Sequence, residues 1–451
     1  MGPIRALHEH VGQNGRNQIA RGILVEQGDG VDGFEGKGHL GALRLVQHGP
    51  GGPLHTTHAG IGIQGKNQNI AHGTALFEQA EVARMQQVIA PVGEDYGLSL
   101  TPPARALFHQ LRAAVDASHR FQFSSEARLY NIGRMSNAVL NWLMEGDPSI
   151  RWQAMRDLKG SAERAFRHEQ WRIAQTGWGA QLLALQDPDG RWASGIYTPK
   201  WTSTTYTLVL LRSLGLPAGN QGAMRACRLL LDTGFWEDGG INYWRKWRKS
   251  SETCVSGMTL AVLCWFGFDD ARVDRLAGHV VERQMADGGW NCQAAPGCGG
   301  ATHGSFHTTI SALEGLMEYE RFRGGGAVAR QASAASARGR EFLLVHRLFR
   351  SHRTGAVARP EFTRFSFPPH WHYDALRGLD YFRESGAARD PRLEDAIALV
   401  EAKRTPDGRW RLQNRYPGKT FFEMETLGEP SRWNTLRTLR VLKWWEREEA
   451  E

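Results

Sequence analysis

The 451-residue chain contains no run approaching the ~18 consecutive apolar residues that a membrane-spanning helix needs. Its first residues carry no signal-peptide pattern, because Gly, His and Gln interrupt every apolar stretch. Cysteine is scarce and odd in number: Cys227, Cys254, Cys264, Cys292 and Cys298. Five thiols in so long a chain favour a reducing, cytoplasmic setting with free or metal-bound thiols over a disulfide framework. No zinc-finger, helix-turn-helix or RNA-module signature is present, so nucleic acid is not an expected partner. The formal net charge of +8 leaves room for an anionic ligand or peripheral contact with a membrane surface. Oligomeric state is left open.

The absences are uneven along the chain. All sixteen tryptophans and all five cysteines lie after Asn141, whereas nine of the seventeen histidines precede Arg120. Residues 8–75 are rich in Gly, His, Gln and Asn without a sustained helical or strand period. Residues 1–134 therefore read as a low-complexity arm, or as a spurious extension upstream of a true start at Met135. Residues 135–451 read as the folded domain. Helix grammar begins there at once: Asp147 is placed to cap, and Pro148 sits at the first helical position.

What is present is a repeated turn. It occurs as Gln186 to Trp192 (QDPDGRW), Trp236 to Gly240 (WEDGG), Gln284 to Trp290 (QMADGGW) and Arg404 to Trp410 (RTPDGRW). Asp189, Asp238 and Asp287 are each 49 residues apart, and Asp407 lies 120 further on. That gap has room for two units with a degraded turn near Thr354-Gly355. After each turn a second helix is expected, opening at Trp201-Thr202, Thr253-Cys254, Phe306-His307, Trp371-His372 and Trp433-Asn434. Ile310, Leu313 and Leu316 fall on one face of such a helix. A period near 50 with two helices per unit means that no unit buries its own apolar face, so neighbours must stack. Asp bonds local amides and Gly accepts positive φ, which suits the turn, and the Trp is expected between successive helix pairs. The stretch from Arg321 to Arg340 reads as a mobile Gly/Ala/Ser/Arg linker. Val357 to Pro369, with Phe362, Phe365 and Phe367, reads as an extended loop across one end.

These turns and helix pairs resemble the terpenoid cyclase and protein prenyltransferase superfamily over roughly Trp178 to Trp445. The resemblance implies an all-α fold, an α/α toroid of about five to six helix hairpins, with an isoprenoid or other apolar small molecule in a central apolar cavity. Lys246-Trp247-Arg248-Lys249-Ser250-Ser251-Glu252-Thr253-Cys254 resembles the prenyltransferase β-subunit pattern of basic-x-x-Lys-x-x-Asp-x-Cys, and Phe306-His307-Thr308-Thr309 resembles that family's Tyr-His-Thr segment. Carried over by position, the resemblance implies zinc held by Glu252, Cys254 and His307, with Lys246 and Lys249 on a diphosphate. Such a metal would deprotonate an incoming thiol. The sequence departs from the family in two places. Glu stands where Asp is usual, and His307 is followed by two further units, so that Asn434 occupies the ligand's place when counted from the C-terminus.

Equivalent positions in a closed ring converge on one end of its cavity. This adds Trp371, Trp433 and Asn434 as substrate contacts, and His307, His372 and Asp374 as candidate catalytic groups, with Asp374 orienting His372 or acting as an acid. Each has a plainer alternative: Cys254 as a buried small hydrophobe, Lys246 to Lys249 as a solvated basic loop, His372 and Asp374 as helix caps. Cys292, Cys298 and His303 either bind a metal or line the mouth beside His307. Glu423 and Glu425 are acids at the mouth or members of a salt-bridged loop. The Asp-x-Asp-Asp acid of class II terpene cyclases is absent, and Asp269-Asp270 reads as a cap. Prenyl transfer is thus preferred to cyclisation. A non-catalytic toroid scaffold that binds a lipid or protein is the alternative from another class.

Overall fold

Helix starts along this chain are fixed by short polar side chains folded onto the first free amides. Asp147, Asn220, Asp270, Asp374 and Ser431 each accept from a backbone N–H two or three residues ahead, which satisfies a donor that the helix itself cannot. Helix ends are set by Gly215, Gly267 and Gly324 in the left-handed region. The computed structural model describes residues 137–446 apart from Pro296. The expected N-terminal arm and the Met135 start lie outside the described residues.

Thirteen α-helices follow one another in the described residues. They are α1 (Asn137–Met144), α2 (Pro148–Gln153), α3 (Glu163–Trp171), α4 (Gly177–Ala184), α5 (Thr204–Leu214), α6 (Gln221–Gly234), α7 (Thr253–Phe266), α8 (Ala271–Glu282), α9 (Phe306–Arg323), α10 (Ala327–Val345), α11 (Ala375–Glu384), α12 (Glu394–Ala402) and α13 (Arg432–Trp445). A π-helical turn, Ala154–Lys159, extends α2. No strand occurs among the described residues, only isolated bridges, so the all-α expectation holds there. None of these helices is long and apolar enough to cross a membrane.

Every second helix from α5 onward packs against the next of its kind: α5 on α7, α7 on α9, α9 on α11, α11 on α13. α13 then packs on α2, and α2 is tied back to α5 by Trp152 Nε1–H donating to Leu214 O at 2.9 Å. The sequence of contacts returns to its start. α6, α8, α10 and α12 each pack on the inner helix beside them. α7 and α9 approach most closely, because Gly257 and Gly315 leave no room for a side chain: a Cβ on Gly257 would meet the Ser311 carbonyl oxygen at 2.5 Å.

The turns between outer and inner helices make the same bonds in three places. Trp192, Trp290 and Trp410 are buried. Their indole N–H groups donate to the carbonyls of Leu182, Val280 and Val400 at 2.7, 2.7 and 2.8 Å. Their backbone N–H groups donate to Thr204, Thr309 and Thr435 on the following inner helix at 3.1, 3.0 and 3.0 Å. At the second turn Ile241 stands in the Trp position and donates to Ser256 Oγ at 2.9 Å. Gly288, at φ 86°, closes the third turn, and Asp287 accepts from Gly289 N and Gly304 N at 3.0 and 2.7 Å.

One expectation is overturned. The supposed linker from Arg321 to Arg340 is largely helix: α9 runs to Arg323 and α10 begins at Ala327. Its small residues are a packing stripe. Ala329, Ala332, Ala335, Ser336 and Gly339 are buried, and the Trp290 ring fills the space where a Gly339 Cβ would sit, 2.6 Å away. Phe362, Phe365 and Phe367 of the 357–369 loop are buried as well, around a short 3-10 turn.

Candidate functional site

The N-terminal ends of α7 and α9, with the loops before α5, α7, α9 and α11, surround a cavity of about 460 Å³. Its walls are Tyr197, Trp244, Trp247 and Trp371, with Arg248, Glu252, Cys254, Cys292, Cys298, His307 and Thr308 between them. Trp247 stands at the lip, 65% exposed. Lys200 Nζ lies 5.6 Å from the Trp371 ring and 5.5 Å from Tyr197, within cation–π range.

The three residues expected to hold zinc share this cavity, but their bonds do not fit the metal. His307 Nδ1 accepts the Tyr373 backbone N–H at 2.8 Å. The neutral ring must then carry its proton on Nε2, so neither nitrogen offers a lone pair. Burial, and behind it Arg359 and Arg377, holds His307 down to about 3, so it is neutral at ordinary pH. Glu252 is engaged by Arg248 at 2.9 Å, and Cys254 by the Cys292 sulfur. Among the described residues no group of three or more His, Cys, Asp or Glu side chains is arranged for a metal ion.

The basic partners differ from those expected. Lys246 and Lys249 are exposed and neither lines the cavity; Arg248 between them does. Its guanidinium bonds Glu252, the Cys292 carbonyl at 3.3 Å and the Cys298 sulfur at 3.1 Å. Burial would lower its pKa, but Glu252 and the three thiols outweigh that and raise it. Tyr197 and Arg248 were not assigned as site residues from the sequence. The only signal was their place five to seven residues before an inner helix, which a loop does not fix.

The other candidates lie behind the wall or elsewhere. His372 is sandwiched between Trp371 and Tyr416, with ring centroids at 3.7 and 3.5 Å. Burial, then His307 and His370, pushes it far down. Asp374 is a buried cap, not an acid facing substrate. Its Oδ1 accepts from Arg377 N at 2.8 Å, and its Oδ2 from Ser366 N and Oγ at 3.1 and 2.9 Å. Trp433 stacks on Phe367 at 4.0 Å and is buried, away from the thiols. Asn434 ties two loops, donating to Phe365 O and Arg411 O at 3.2 and 3.0 Å. Equivalent sequence positions thus split: Cys254, His307 and Trp371 meet at one cavity, Trp433 lines a second one in the ring interior, and Asn434 is packed structure. Glu423 is salt-bridged to Arg415 at 2.6 Å. Glu425 is half-buried, and desolvation pushes its carboxyl up, although Ser431 and the Trp433 amide bond it.

The interior of the ring is not the apolar chamber expected. α2, α5, α7, α9, α11 and α13 all contribute to a second cavity of about 140 Å³, lined by charged as well as aromatic groups. Arg212 bridges Glu318 and Glu314 at 3.0 and 3.4 Å. Arg377 forks onto Glu314 at 2.8 and 3.0 Å, and Asp380 takes Arg440 at 2.7 Å and Arg437 at 3.5 Å. Burial alone would raise Glu314 and Asp380. Arg377 on the first and Arg440 on the second reverse this and hold both carboxylates ionised.

No protein-family profile matches the chain, and no curated protein matches it. Among solved structures, the type II terpene cyclase MstE from Scytonema is similar. In complex with geranylgeranyl dihydroxybenzoate, one variant of it is 17% identical over 61% of this chain and 80% of its own, with a TM-score of 0.33. A second variant with the same substrate is 17% identical over 66% and 87%, at 0.34. The apo enzyme is 14% identical over 61% and 96%, at 0.26. At these values the likeness is too slight to carry substrate or mechanism.

Proposed function

We propose that the chain is an α/α toroid that binds an isoprenoid or a similar amphipathic molecule at the N-terminal ends of its inner helices. The observation that carries this is the cavity of about 460 Å³ walled by Tyr197, Trp244, Trp247 and Trp371, with Arg248 at one side. Such a site offers aromatic faces to an apolar or cationic chain and one guanidinium to an anionic head group. Its size is that of small-molecule sites in general. Binding is favoured over zinc-assisted prenyl transfer, because His307 Nδ1 already accepts the Tyr373 backbone N–H. Cyclisation by acid needs a protonated carboxyl near the substrate. Glu314 and Asp380 are held ionised by arginine, and this argues against them as the acid.

The test is titration of the full-length, reduced protein with farnesyl diphosphate and with farnesol, followed by tryptophan fluorescence. Saturable one-to-one binding is expected. Trp247→Ala should weaken both about tenfold, the loss of roughly 1.4 kcal/mol of ring contact, and Arg248→Ala should weaken the diphosphate alone. If neither probe binds, the second reading takes over: a scaffold without a small prenyl ligand. The ion-paired interior already favours that reading for the centre of the ring.

A further inference from the structure

Three of the five cysteines converge on the wall of the aromatic cavity, and two of them touch. Cys254 is the second residue of α7. Cys292 opens a short 3-10 turn, Cys292–Ala294, after α8. Their sulfurs are 2.9 Å apart, inside van der Waals contact and about 0.9 Å from the length of a disulfide bond. The pair is held in place by its surroundings. The Cys254 backbone N–H donates to Cys292 Sγ at 3.2 Å, and Thr308 Oγ1 approaches the same sulfur at 3.6 Å. Cys298 is drawn away from the pair, toward Arg248 Nη2 at 3.1 Å and Ser250 Oγ at 3.4 Å. Cys227 and Cys264 are buried in the aliphatic core, where desolvation raises both thiols well above their ordinary range. Packing therefore divides the five thiols into two that are inert and three that face a cavity, with one touching pair among the three.

We propose that Cys254 and Cys292 are a redox-active dithiol that closes to a disulfide in the cavity wall when a small hydroperoxide enters. The sulfur of Cys292 attacks one peroxide oxygen and breaks the O–O bond, becoming a sulfenic acid and releasing water from hydrogen peroxide. The sulfur of Cys254 then attacks the sulfenic sulfur, forming the S–S bond and releasing a second water. Two thiols lose two electrons and two protons, and the peroxide takes up both. A dithiol such as dithiothreitol reverses the step by exchange. The bond encloses all of α8 and fastens the loop before α9 to the start of α7. The inference does not depend on the cavity holding an isoprenoid.

The test uses the full chain, reduced and then exposed to hydrogen peroxide, with remaining thiols alkylated after unfolding in urea, so that the buried Cys227 and Cys264 react too, and peptides mapped without reduction. The expected result is a fall from five alkylatable thiols to three. One intrachain link between Cys254 and Cys292 should appear and be removed by dithiothreitol. Cys298→Ser should keep the link, and Cys254→Ser should abolish it. The wild-type map needs no variant, so a Cys254→Ser protein that fails to fold leaves the result readable. Five thiols surviving peroxide, a link that includes Cys298, or Cys292 oxidised to sulfinic acid with no link would each overturn the proposal.

Discussion

Replacing Trp290 by Ala removes a fully buried ring at the joint between α8, α9 and α10. A Trp→Ala change in a core costs ~3–5 kcal/mol through lost transfer energy and the cavity left behind. Losing the indole donor also leaves the Val280 carbonyl without its 2.7 Å partner, an orphaned acceptor worth about 1–3 kcal/mol if water cannot reach it. A sharper test lies across the joint. Gly339→Ala places a methyl 2.6 Å from the Trp290 ring and 2.8 Å from the end of the Leu313 side chain. Overpacking of this kind costs ~1–3 kcal/mol, against a gain of up to ~1 kcal/mol for Ala over Gly inside α10. Alone, Gly339→Ala should therefore destabilise. In the Trp290→Ala background the ring is gone, Leu313 has room to turn aside, and the helical gain remains, so the same change should stabilise by about 0.5–1 kcal/mol. Urea unfolding of the four proteins, followed by far-ultraviolet circular dichroism, reads the cycle directly. Gly339→Ala costing the same in both backgrounds would refute the claim that the Trp290 ring fills that space.

Stability should fall as pH drops below about 6.5. His307 and His370 are each held down to about 3, chiefly by burial and then by nearby cations, so the folded state keeps them neutral while the unfolded chain protonates them near 6.5. Their contribution is complete above the unfolded value and is lost as pH falls toward about 3, at roughly 1.4 kcal/mol per pH unit for each ring. Urea midpoints measured between pH 7.5 and 5 should show this slope, and His307→Asn should shed about one proton of it; a flat profile would mean that these rings are protonated in the fold. Asp380→Asn leaves Arg440, Arg437 and Arg383 around a neutral amide. Breaking a buried ionic group in this way should cost ~3–5 kcal/mol, and a thermal melt unchanged from wild type would show that the network is solvated.

The sequence by itself determined the helices and their punctuation. Asp147, Asp270 and Asp374 cap because a carboxylate one residue before a helix has amides within reach, and each turn tryptophan's indole N–H finds its carbonyl ten residues back. Local geometry settles such features. It also pointed to the stretch that lines the cavity, since Cys254, His307 and Trp371 sit at matching starts of inner helices. Tertiary structure decided what those residues do. The His307 tautomer was set by the Tyr373 amide, 66 residues away. The choice of Arg248 over Lys246 and Lys249 depended on how one loop folds back on Glu252 and Cys298. The Ala/Ser/Gly stripe of α10 looked like a linker because its partner, Trp290, lies far from it in sequence. Glu314 and Glu318 gave α9 a polar face that a single helix would turn to water; only closure of the ring supplied Arg212 and Arg377 from α5 and α11 and made that face an interior. Periodicity fixes which residues share a face, but what the face meets is set by partners that the chain brings in from dozens of residues away.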